Sequence, residues 1–137
     1  MSAGQVGART APRTLWHAEL VGVRVISLKN HKQVIKVRGR TLLVPSVAHE
    51  KFLWLAAPQL RQVAPATPLA VPYVLTVRFA LKGRLDIDLD NAVTTIADLL
   101  MTAGIVADDA LCVRLVADKI PGAPDWHTTI TIAEVAA

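Results

Sequence analysis

The chain has one cysteine, Cys112, and therefore no internal disulfide. Although 53% of its residues are hydrophobic, no stretch of about 18 residues escapes charge or proline. That argues against a membrane-spanning helix and assigns the apolar side chains to a core and an interface. The first residues, MSAGQVGARTAPRT, lack the apolar run of a signal peptide, so a cytoplasmic setting is expected. The histidines, His17, His31, His49 and His127, show no ligand spacing with one another or with Cys112, which argues against a zinc site. Acids are nearly missing from one end. Residues 1–40 hold eight Lys/Arg and one acid, Glu19, a balance of +7; the remainder hold seven Lys/Arg and ten acids, a balance of −3. One end suits phosphate and the other gathers carboxylates, although a solvated basic face would give the same count.

At 137 residues the chain has room for one domain with its own core. Residues 1–14 carry no apolar period and read as a flexible basic arm ahead of a domain over 15–137. Leu20, Val21, Val23, Val25 and Ile26 suggest a first strand over Glu19 to Ile26. From Lys32 to Val44, alternation puts Ile35 and Val37 on one face and Lys32, Lys36, Arg38 and Arg40 on the other, as expected of a strand or hairpin with a basic face. Ser46 should cap a helix reaching about Gln62, bent or interrupted at Pro58. Tyr73 to Leu81 alternates as a central strand. Asn91 should cap a helix carrying Ala92, Val93, Ile96, Leu99, Leu100 and Ala103 on one face, ended by Gly104. Strands over Leu111 to Ala117 and Thr128 to Val135 complete the pattern. Cys112 then falls among packing positions, and Trp16, Trp54 and Trp126 read as core or interface residues.

The chemistry concentrates in Asp86-Ile87-Asp88-Leu89-Asp90-Asn91. In an extended backbone the three aspartates point the same way, about 7 Å apart. Three like charges on one face repel, and a divalent cation of the Mg²⁺ kind would relieve them. A second pair, Asp108 and Asp109, follows the helix and is expected to meet Asp88 and Asp90 across the mouth of the unit. The helix start nearby favours negative charge there. An EF-hand loop also opens Asp-x-Asp-x-Asp, but its sixth position would be Asn91 rather than Gly and its twelfth Ala97 rather than Glu, so that reading fails. Helix caps and turns remain the bland alternative for each aspartate taken singly.

Asp88-Leu89-Asp90-Asn91, the amphipathic helix, Ala103-Gly104-Ile105-Val106-Ala107-Asp108-Asp109 and then Lys119 resemble the RusA family of Holliday-junction resolvases, endodeoxyribonucleases of recombination and repair often carried by phages and prophages. The likeness is close from Arg84 to Lys119. It implies an α+β fold of one domain, a mixed β-sheet packed against two main helices, assembled as a homodimer. It further implies Mg²⁺ dependence, with Mn²⁺ as a substitute, and paired symmetric nicks in four-way DNA. Asp88, Asp90 and Asp109 would be the metal-binding carboxylates, with Lys119 a phosphate contact beside them. Lys29, Lys32, Lys36, Arg38 and Arg40 would bind the DNA backbone, helped by Arg9 and Arg13 on the arm. One departure stands out: the family usually has a lysine three residues after the motif's Asn, and here that residue is Thr94. The alternatives are therefore a branched-DNA-binding protein with a decayed active site, Lys119 or Lys82 standing in for the missing cation, and a general nuclease of flaps or forks.

Overall fold

The computed structural model describes residues 12–26, 32–45 and 47–136. They form β1 (Thr14–Val21), β2 (Lys32–Val37), β3 (Arg40–Pro45), α1 (Val47–Arg61), β4 (Tyr73–Lys82), α2 (Leu89–Thr102), a 3₁₀ turn (Asp109–Leu111), β5 (Cys112–Ala123) and β6 (His127–Glu134). β1, β6, β4 and β5 lie side by side in that order. β6 is antiparallel to both β1 and β4, while β5 is parallel to β4, so the sheet is mixed and the fold is α+β. No helix among the described residues is long and apolar enough to cross a membrane.

Alternation dictates the core. Tyr73, Leu75, Val77, Phe79 and Leu81 of β4 are all buried, and so are Trp16, Ala18 and Leu20 of β1 and Thr128, Ile130 and Ile132 of β6. Register sets Leu75 beside Ile132 and Val77 beside Ile130, which joins these rows into one apolar face. α2 covers it with Ala92, Ile96, Leu99 and Leu100, α1 with Phe52, Ala56 and Leu60, each set at helical spacing. The opposite face carries polar positions such as Glu19, Thr76, Arg78 and Arg114, as one-sided sheets do.

Several elements differ from their sequence reading. β1 begins at Thr14 and ends at Val21, not Glu19 to Ile26, because Gly22 turns the chain at φ 71° with its N–H on the Trp126 carbonyl. Val23 and Val25 are buried without being strand. α1 runs through Pro58 instead of breaking there. Pro58 begins the last turn, where the missing N–H costs one bond, and Gln62 still donates to its carbonyl. Trp54 is 77% exposed, while Trp16 and Trp126 are core residues. The basic run from Lys32 to Val44 is split by a two-residue turn, Arg38 (φ 52°) and Gly39 (φ 77°). Register pairs Lys36 with Thr41 and Val37 with Arg40, so Arg38 lies in the turn and Arg40 takes the register position of Val37. Lys29, Arg9 and the proposed cap Ser46 lie outside the described residues, as does the expected arm up to residue 11.

Candidate functional site

The segment joining β4 to α2 is irregular, and its aspartates do not stand in an extended row. Asp86 is tied to β5: the Lys119 ammonium donates to its Oδ1 (2.8 Å) and to the Ile87 carbonyl (3.0 Å). The Lys119 hydrogen bond, followed by one from the Ile87 N–H, holds the Asp86 carboxyl below the usual carboxylate range. Asp88, not Asn91, caps α2. Its backbone is extended (φ −81°, ψ 114°) and its carboxylate accepts from the Asn91 backbone N–H (3.5 Å) and side-chain amide (3.2 Å). Asp90 lies in the first helical turn and is exposed. Thr94, one turn on, donates its hydroxyl to the Asp90 carbonyl (3.1 Å) and directs no polar hydrogen outward. Asp86, Asp88, Asp90 and Lys119 thus gather where β4 and β5 end and α2 begins, at the positive end of the helix dipole.

The cap has a measurable worth. Asp88→Ala should lower stability by about 1 kcal/mol, seen as a lower urea midpoint with an unchanged denaturant slope; an unchanged midpoint would mean that Asp88 does not hold the helix start.

Asp109 is elsewhere. β5 is parallel to β4, so α2 must carry the chain back along the sheet to begin it, and Tyr73 at the start of β4 pairs with Cys112. The Asp109 N–H lies on the Met101 sulfur (3.3 Å) in the last turn of α2, and Asp108 caps the 3₁₀ turn through the Ala110 N–H (3.0 Å). A 14-residue helix is about 20 Å long, and Asp88 and Asp109 stand at its two ends. The expectation that this pair meets Asp88 and Asp90 within one chain is therefore corrected. Among the described residues no three His, Cys, Asp or Glu side chains come together as a metal site.

The charges of Asp108 and Asp109 are felt instead by Tyr73. Burial first, then negative charge on Cys112, Asp109 and Asp108, pushes its phenol up to about 12. A raised phenol value contributes stability that is complete below the ordinary 10.0 and is lost as pH rises through about 12. Tyr73 is the only tyrosine, so an ultraviolet titration should show no phenolate near pH 10 and a single step near 12; a step at 10 would place Tyr73 in solvent.

Sequence reading missed the surroundings of the Asp86–Asp88 loop. A cleft of about 540 Å³ opens beside it, lined by Val23, Phe52 and Trp126 together with Arg24, Lys51, Asp86 and Asp88. The Arg24 guanidinium lies 5.3 Å over the Trp126 ring, and the buried Thr95 hydroxyl donates to the Ile26 carbonyl (2.6 Å), which fixes α2 to this wall. These residues come from four separate segments, and no local pattern joins them. Of the expected DNA contacts, Arg38 and Arg40 are exposed, and Arg13 pairs with Glu134 (3.8 Å). Two histidines also come together across strands: His17 and His127 both reach Glu19.

Neither a scan against protein-family models nor a search of curated proteins returns a match for this chain.

Proposed function

We propose that the chain is a Mg²⁺-dependent endodeoxyribonuclease of the RusA type, which works as a homodimer on cytoplasmic four-way DNA and cuts it by paired symmetric nicks. The observation that carries the reading is the pair of exposed carboxylates, Asp88 and Asp90, at the mouth of α2, next in the chain to Asp86, which holds the Lys119 ammonium, and a cleft lined by Asp86, Asp88, Arg24 and Lys51. The donors fit the ion. Asp88 and Asp90 offer hard oxygens, Asp90 has no side-chain partner among the described residues, and Mg²⁺ is commonly held by one or two carboxylates together with water and substrate phosphate. When bound, Mg²⁺ supplies an acidified water and charge to set against the phosphate.

The chain's own groups divide the remaining work. Asp88 and Asp90 hold the ion, and Asp86 keeps Lys119 in place. Arg24 and Lys51, which line the same cleft as Asp86 and Asp88, clamp the strand. Arg38 and Arg40 add contacts to the DNA backbone, which position without reading sequence. Asp109 cannot join the centre of its own chain, so a second copy supplies it. A dimer then carries two equivalent centres, as symmetric incision of a junction requires.

Thr94 supports a second reading. Its hydroxyl is spent within the helix, so the cation expected there has no substitute at that position, and a branched-DNA-binding protein with a decayed site is the alternative. A substrate comparison in Mg²⁺ separates the readings: preferential cutting of a four-way junction over a flap and a linear duplex supports the proposal. Equal cutting of all three indicates a general nuclease, and binding without cutting the decayed site.

A further inference from the structure

The chain has six aromatic side chains, three Trp, one Tyr and two Phe. Five of them, Trp16, Phe52, Tyr73, Phe79 and Trp126, are buried in the core. Trp54 is the exception, 77% exposed in the middle of α1. The other two indoles are occupied: Trp16 donates its N–H to the Val63 carbonyl (2.8 Å), and the Arg24 guanidinium lies over the Trp126 ring. The Trp54 N–H and ring have no hydrogen-bonding or cationic partner among the described residues. Packing does not call for an indole there, since Phe52, Ala56 and Leu60 already fix α1 to the sheet.

A single apolar side chain on a surface means little by itself; its company decides. With 3.6 residues per turn, Lys51, Pro58 and Arg61 share the Trp54 side of α1, and all three are exposed. Lys51 and Arg61 stand about 15 Å apart along the axis, roughly four steps of about 3.4 Å along one strand of DNA, with the indole between them. Neither has an ion pair among the described residues. Glu50, the one acid of α1, lies on the opposite flank from Lys51 and keeps a phosphate chain to the lysine side. Lys51 also lines the cleft together with Arg24, Asp86 and Asp88. A strand that follows Lys51 to Arg61 out of the cleft passes over the indole.

Cations on either side of a bare aromatic ring make a surface that tracks a nucleic-acid backbone and stacks a base, because every base has a π-face to offer. Inside a duplex those faces are hidden against their neighbours. Where strands branch, the flanking bases lose a neighbour on one side. We infer that Trp54 stacks on a base laid open at the branch point while Lys51 and Arg61 hold phosphates on either side of it, so that the indole selects branched over linear DNA. The inference rests on the reading of the chain as a protein of branched DNA, cutting or not, and adds to it the residue that recognises the branch.

Fluorescence of the full chain can be titrated with a four-way junction and with a hairpin-closed linear duplex, without divalent metal so that the DNA stays whole. Trp16 and Trp126 are buried, so acrylamide quenching reports Trp54. The junction should shield Trp54 from acrylamide, and the duplex should leave it accessible. Trp54→Ala should weaken junction binding by roughly tenfold or more, the size of one base–aromatic stack, with duplex affinity and the urea midpoint unchanged, and Trp54→Phe should restore most of the loss. Lys51→Ala and Arg61→Ala should weaken both substrates alike and lower the salt slope by about one each. Full junction affinity in Trp54→Ala, or an indole still open to acrylamide in the complex, would overturn the inference and leave the DNA reading standing. Failure of the unsubstituted chain to bind either DNA would remove both. Shielding of Trp54 at rising protein concentration without DNA would assign the indole to a protein contact and likewise overturn the inference.

Discussion

Asp90→Asn should reduce junction cleavage to below detection while the junction remains bound at least as tightly as by the unsubstituted chain. The carboxylate is exposed in the first turn of α2 and has no side-chain partner among the described residues. An amide of the same shape therefore leaves the fold intact, which a urea midpoint unchanged within about 0.5 kcal/mol would verify. The change removes a negative charge that would hold the cation and that otherwise repels the DNA backbone. Loss of one electrostatic contact at a reacting centre costs about a hundredfold or more in rate, and loss of a metal ligand costs further. A gel shift beside a single-turnover cleavage assay reads both effects. Undiminished cutting by this variant would remove Asp90 from the site.

Thr94→Lys should raise the single-turnover rate by about a hundredfold, the size of a restored electrostatic contact at a reacting phosphate. Thr94 follows Asp90 by one helical turn, so a lysine there rises over the same end of α2, and the acid-before-base order at this spacing favours the helix. The present hydroxyl donates only to the Asp90 carbonyl, and lysine is the better helix former. Junction affinity should change little, which separates a catalytic gain from tighter binding. An unchanged rate would mean that the cation is already supplied, with Lys119 the nearest candidate through its contacts to Asp86 and the Ile87 carbonyl.

What could be read from the chain alone follows the range of the interactions. β4 and the buried face of α2 were legible because period two and period 3.6 are written locally in Tyr73 to Leu81 and in Ala92 to Leu100. The gathering of Asp86, Asp88 and Asp90 near a helix start was also legible, although the cap proved to be Asp88 because its extended backbone aims the carboxylate at the Asn91 N–H. The place of Asp109 was not legible. It depends on whether the strand after α2 pairs parallel or antiparallel to β4, and the sequence around Cys112 reads the same either way. Parallel pairing sends the chain back to the Tyr73 end before β5 can begin, so sequence proximity to the helix became separation by its length. The cleft formed by Arg24, Lys51 and Trp126 was hidden for the same reason: its walls meet through tertiary packing alone.

The most direct measurement is nucleotide-resolution mapping of the cuts made in an end-labelled four-way junction in Mg²⁺, with a chelator control. Paired nicks at symmetric positions in opposing strands, dependent on the metal, are the predicted result. An uncut junction in both Mg²⁺ and Mn²⁺, with binding retained, would contradict the account.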